Sequence, residues 1–146
     1  MPLNTVAIVQ GRLLEIRADA GYRSLQDVEQ VTRAIQRESM KVPLNLRAVT
    51  VVDWRRCPVM SDDASARLLE HMRSTNPRVE RSAALASQKS SIAVLQFLRL
   101  VRESSHRDRR LFFEPEPLIE WLGEVLTPEE LQRLREFLAE GAPASP

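Results

Sequence analysis

The chain has 146 residues, of which 43% are hydrophobic and 28% charged. This is the length and composition of one globular domain around a single core, and it excludes a disordered or fibrous chain. Twenty-one basic against 20 acidic residues leave a net charge of +1, which sets aside a strongly basic nucleic-acid binder.

The lone cysteine, Cys57, has no internal partner for a disulfide and suits a reducing compartment. No apolar run reaches the roughly 18 residues that span a bilayer, and residues 1–10 lack the basic start and apolar core of a secretory signal. The expectation is a cytoplasmic protein without a membrane span. The small net charge hides a polarised distribution. Residues 1–110 hold 19 basic and 12 acidic side chains, whereas residues 111–146 hold two and eight. Nineteen of the 21 basic residues are arginine, whose forked donors favour carboxylate or phosphate partners over diffuse attraction.

In chain order, Val6–Val9 is a short apolar run that stops at Gly11, and Leu13, Leu14 and Ile16 resume it as a strand pair or one bent strand. Ser24 and Asp27 have capping-box spacing, and Val28, Val31, Thr32 and Ile35 follow on one helical face. Pro43 lies beyond that helix. Ala48–Val52 reads as a strand covered on both faces, ending at Asp53. Ser61, Asp62 and Asp63 open a second helix, with Ser65, Leu68, Leu69 and Met72 facing inward and Asn76-Pro77 as the stop.

Ser82–Ala86 is a strand of small residues, and Val94, Phe97, Leu98 and Val101 mark a third helix. Leu111–Phe113 is a last short strand. A fourth helix carries Leu118, Leu122, Val125 and Leu126 behind Pro117. Thr127-Pro128-Glu129-Glu130 combines an N-cap, a proline at the first helical position and a glutamate at the third, and opens a fifth helix with Leu131, Leu134 and Leu138. Residues 141–146 are too poor in large apolar groups to pack and are expected to fray. The order β(β)αβαβαβαα predicts one α/β domain with a mostly parallel four- to five-stranded sheet.

Chemistry-bearing motifs are sparse. The four glycines form neither a dinucleotide fingerprint nor a P-loop, and two histidines with one cysteine lack zinc-ligand spacing. No cofactor, metal or catalytic set is expected. His71 reads as a helix-surface residue. Cys57, beside Arg55 and Arg56, reads as a structural thiol, the alternative being a thiolate favoured by those arginines. Asp62 and Asp63 point about 100° apart on a helix and cap its first turn better than they form a catalytic pair. Asp53 closes a strand at its carboxyl end, where open α/β sheets place ligands. With Trp54, Arg55 and Arg56 it is either a recognition surface with an aromatic anchor or an internal ion pair with Trp54 covering the sheet edge. Lys89, Ser90 and Ser91, at the start of the third helix, are candidates for holding an anion.

The element order and the segment Val51–Ser65 resemble a STAS-like domain of the bacterial anti-sigma-factor-antagonist type. In that family a strand ending in Asp or Asn is followed by an Asp-Ser-Ser-Gly-Leu type helix start. Gln10-Gly11-Arg12-Leu13, Leu95–Leu100, Leu111–Phe113 and Glu120-Trp121-Leu122 resemble further blocks of the SpoIIAA-like proteins. The likeness covers about residues 4–126 and leaves the fifth helix as an addition. The family's phosphorylated serine falls on Asp62, so the resemblance implies a regulatory protein-interaction module in a fixed state. Its partner surface would comprise Asp53, Trp54, Arg55, Arg56, Ser61, Asp62, Asp63 and Ser65. The partner would be another protein, with a homodimer as one form, and the acidic last helix would dock on the basic remainder or on a second copy. A small-ligand or lipid-binding domain with a pocket at the sheet end or between sheet and helices is the alternative.

Overall fold

Side chains alternate strictly across every central strand, and this alternation sets the architecture. The computed structural model describes residues 2–143. Five strands, β1 (Asn4–Ile8), β2 (Leu13–Ala18), β3 (Ala48–Trp54), β4 (Val79–Ala86) and β5 (Arg109–Phe112), form one sheet in the order β1-β2-β3-β4-β5. The first pair is antiparallel and the other three pairs are parallel. Five α-helices complete the single α/β domain: α1 (Leu25–Ser39), α2 (Asp62–Thr75), α3 (Ser91–Glu103), α4 (Pro115–Gly123) and α5 (Pro128–Glu140).

The strands advance in one direction across the sheet. Right-handed crossovers therefore place α1, α2 and α3 on the same face. Leu14, Ile16, Val52, Ala84 and Ala86 point to that face and pack with Val28, Val31, Leu68 and Phe97. Leu13, Val49, Val51, Ala83 and Leu85 point to the opposite face, which α4 and α5 cover with Leu118, Leu122, Leu134, Phe137 and Leu138. Of the two alternatives at residues 6–16, a strand pair or one bent strand, the chain adopts the pair, an antiparallel hairpin. The strand expected at Ser82–Ala86 begins earlier, at Val79.

Local signals hold at the caps, with one difference. Ser24 caps α1, but the Asp27 carboxylate accepts from the Arg23 amide, one residue before the cap, so the box is left half made. Thr127 and Glu130 make both bonds of a capping box. Glu130 also accepts from the Arg12 amide at 2.8 Å, tying the start of α5 to the hairpin turn. That turn requires Gly11, whose φ is +58° and whose missing Cβ leaves room for the Glu130 carboxylate.

The far end of α5 is held as firmly. Arg56 donates to the carbonyls of Gly141 and Ala142, so the first residues of the expected frayed tail are engaged. Residues 144–146 of that tail lie outside the described residues. Replacing Gly11 with alanine imposes a left-handed conformation that costs about 1–2 kcal/mol and displaces Glu130 as well. Urea unfolding should show Gly11→Ala losing about 2 kcal/mol or more; an unchanged midpoint would show that the turn is not under this constraint.

Candidate functional site

The strand-end group is internal. Asp53 sits at the end of β3 on the face covered by α5 and is fully buried. Its carboxylate pairs with Arg17 and, at 3.0 Å, with Arg55. The same arginines donate to the carbonyls of Phe137 and Leu138 near the end of α5. Cations at a helix C-terminus meet unpaired carbonyls and the negative end of the dipole. The Asp53–Arg55 cluster therefore holds the last helix, and α5 occupies the carboxyl end of β3, where open α/β sheets place ligands. Trp54 is 4% exposed, stacks on Phe97 at 4.5 Å and donates to Tyr22 Oη. Its indole lies in the core, which corrects the expectation of a surface anchor.

The helix-start residues are elsewhere on the molecule. Ser61 caps α2 by accepting from the Ala64 amide, Asp62 and Asp63 are exposed in the first turn, and Ser65 is half-buried behind them. Ser90 similarly caps α3, with Lys89 and Ser91 exposed beside it. Asp53 and Trp54 are thus separated by burial from the Ser61–Asp63 surface, and no single face presents all eight predicted partner residues. Cys57 is buried, and burial pushes its thiol up to about 12. That places it with the structural thiols.

A large opening lies between the sheet and helices α1 and α2. It is a cavity of about 830 Å³. Its floor comprises the even-numbered side chains of three strands: Leu14 and Ile16, then Ala48, Thr50 and Val52, then Ser82 and Ala84. Val31 and Ile35 of α1 and Leu68 and Met72 of α2 form the roof. The hollow has a plain cause. Four floor positions on β3 and β4, Ala48, Thr50, Ser82 and Ala84, carry small side chains that leave space beneath the helices.

Trp54 and Tyr22 close one end of the cavity. Met40 and Leu44, which are 85% and 89% exposed, lie with Arg78 at the other end, where the parallel strands begin. The polar lining is sparse. Thr50 and Ser82 face each other in register and hydrogen-bond through their hydroxyls. Arg109 and His71 lie near the open end.

No family model, curated protein or solved structure matches this chain.

His71 overturns its expected place on the helix surface. It is 7% exposed, lines the cavity and makes no side-chain hydrogen bond among the described residues. Burial, with the charges of Arg67 and Arg109 adding to it, lowers its pKa to about 4. The α2 inner face includes Ala64 and His71, whereas Ser65 and Leu69 are only half-buried. On α3, Leu98 is 43% exposed and the buried positions are Ala93, Phe97 and Leu100. His71 and Arg109 carried no motif by which the sequence could mark them. The one available signal was the run of small residues in Ser82–Ala86, which reads equally as a tightly packed strand.

His71 makes the fold pH-dependent in a definite direction. Its folded pKa lies below the ordinary 6.5, so folding favours the neutral imidazole. The resulting stability is fully present above about pH 6.5 and is lost as pH falls toward 4. His71→Leu should flatten the stability profile between those values, removing a decline of up to about 3 kcal/mol relative to wild type. Parallel profiles by denaturant titration would show that His71 does not contribute.

Proposed function

We propose that this chain is a non-enzymatic binding module that encloses an elongated apolar ligand between its sheet and helices α1 and α2. The cavity carries this reading. At about 830 Å³ it lies within the roughly 300–1,000 Å³ of small-molecule sites, and a mostly apolar wall with a few polar groups is their usual lining. A ligand that buries ten methylenes gains about 8 kcal/mol from transfer alone, before the cost of immobilising it. The ionisable groups at hand are poorly tuned for catalysis. The thiol of Cys57 and the phenol of Tyr22 are both pushed up by burial, and the imidazole of His71 is too weakly basic to act as a base near neutrality. The STAS-like resemblance, which rests on the element order and the segment Val51–Ser65, belongs to the second reading below, that of a protein-contact module.

Native mass spectrometry after mild purification tests the ligand. The expected spectrum shows added mass of a few hundred daltons that disappears on denaturation, consistent with a ligand of drug-like to lipid-like size. A bare chain that also leaves the fluorescence of an apolar dye unchanged would overturn the proposal.

A second reading, a regulatory protein-contact module, draws on a different surface. Val59, Ile92 and Leu95 are 46%, 63% and 66% exposed. Gln96 joins the two segments that carry them by bonding both the amide and the carbonyl of Met60. The exposed carboxylates of Asp62 and Asp63 begin two residues later. An apolar strip beside fixed negative charge suits a partner with an apolar, basic patch. Asp62→Lys with Asp63→Lys should weaken partner pull-down while leaving thermal stability nearly unchanged. Undiminished capture would remove this surface from consideration, and stoichiometric phosphate on Ser61 or Ser65 would replace the fixed state with a switched one.

A further inference from the structure

Resting on the cavity reading, we infer that the enclosed ligand is an acyl chain ending in a single negative charge, and that Arg109 receives the charged end. Arg109 is a buried arginine without a carboxylate. It is 9% exposed and forms no ion pair among the described residues. Its Nε and Nη2 groups donate only to neutral acceptors: Asn76 Oδ1, the Met72 carbonyl and Thr75 Oγ1, at 3.0–3.3 Å. Its Nη1 group donates to none of the described residues. Burial lowers its pKa to about 10, which leaves it cationic near neutrality.

Of the buried carboxylates, Glu130 is met by the amides of Arg12 and Thr127, and Asp53 and Glu15 are held in ion pairs. Asp53 has Arg17 and Arg55, and Glu15 has Arg133 at 2.7 Å. A buried cation that lacks such a partner is costly, and an anion delivered by a ligand would relieve the cost. The cavity lining contains Arg78, Arg109 and Arg110 but no aspartate or glutamate. Arg110 turns its guanidinium to the other side of the sheet, over Trp121 at 4.5 Å, and Arg78 is exposed. One enclosed positive charge remains.

His71 completes the cradle. It directly precedes Met72, whose carbonyl takes an Arg109 hydrogen bond, and its unpartnered neutral ring offers one donor to a second ligand oxygen. The matching ligand group is a carboxylate, planar and singly charged, against a guanidinium with two N–H bonds unspent. The remaining length of the cavity, out to Trp54 and Tyr22, is mostly apolar, with the Thr50 and Ser82 hydroxyls bonded to each other, and takes the chain.

Laurate, 1-dodecanol, dodecylammonium and acetate, titrated against the delipidated full chain near neutral pH, separate head from tail. Binding is read by calorimetry and by tryptophan fluorescence, since Trp54 lines the cavity. Laurate should bind at least about tenfold more tightly than dodecanol, the effect of one charge-assisted hydrogen bond. Dodecylammonium should bind weakest, and acetate should not bind at matched concentrations. Arg109→Met should bring laurate down to the affinity of dodecanol while leaving dodecanol unchanged, and Arg109→Lys should restore part of the difference. If the methionine variant does not fold, the wild-type ranking of the three twelve-carbon ligands decides the matter. Equal affinity for all three would overturn the charged-end inference and leave the cavity reading standing. Binding of none would overturn both, and acetate binding as tightly as laurate would overturn the acyl chain.

Discussion

The fully buried carboxylate of Asp53 is the constraint on which the rest of the fold depends. Arg17 comes from β2 and Arg55 follows β3, and each also holds a carbonyl of α5. Two strands and the last helix thereby meet at one ion-pair cluster. Gly141 completes it, because a Cβ there would collide with both Arg17 and Asp53. A buried ion pair returns little net stability once its desolvation is counted. What this cluster specifies is geometry. It admits α5 in one register, which Glu15–Arg133 and Glu130 on the Arg12 amide repeat further along the helix. Several arginines of the basic body meet carbonyls of the C-terminal segment, and Arg81–Glu124 is the one salt bridge between a basic residue of that body and a C-terminal acid among the described residues.

That anchoring separates the sheet into two unlike faces. Under α4 and α5 the large side chains Leu13, Leu85, Leu118, Leu122 and Leu134 are completely or almost completely buried and fill the space. Under α1 and α2 the small side chains of β3 and β4 leave it hollow. A cavity costs stability in proportion to its volume, so a domain retaining one must obtain its rigidity elsewhere. Here the filled face supplies it, and a rigid support is what a binding site built on a sheet needs.

The amphipathic pattern of α1 was legible to the residue, because Val28, Val31, Thr32 and Ile35 follow a single period on a helix with one covered side. The box at Thr127 was equally clear, since both of its bonds are local. Asp53 was ambiguous for a reason that can be stated. Its nearest partner, Arg55, is two residues away, but the partner that makes it structural, Arg17, is 36 residues away and meets it only through strand pairing. Trp54 misled because aromatic residues serve cores and interfaces alike. The cavity was the least visible of all. A void depends on which side chains of separate strands and helices come to face one another, which no local residue pattern encodes, and Arg109 stood unmarked among 19 arginines.

The placement of α5 at the end of the chain has a consequence for biosynthesis. The face of the sheet that carries Leu13, Val49 and Val51 is complete only when residues near 140 join it. A ribosome adding about 5–20 residues per second reaches them roughly 2–7 s after α3 has been made. During that interval the nascent sheet has its first-face helices in hand but no α5 over its apolar second face, and Asp53 with its arginines has no helix to hold. The translation speed of residues 104–140 thus sets how long that face stays incomplete.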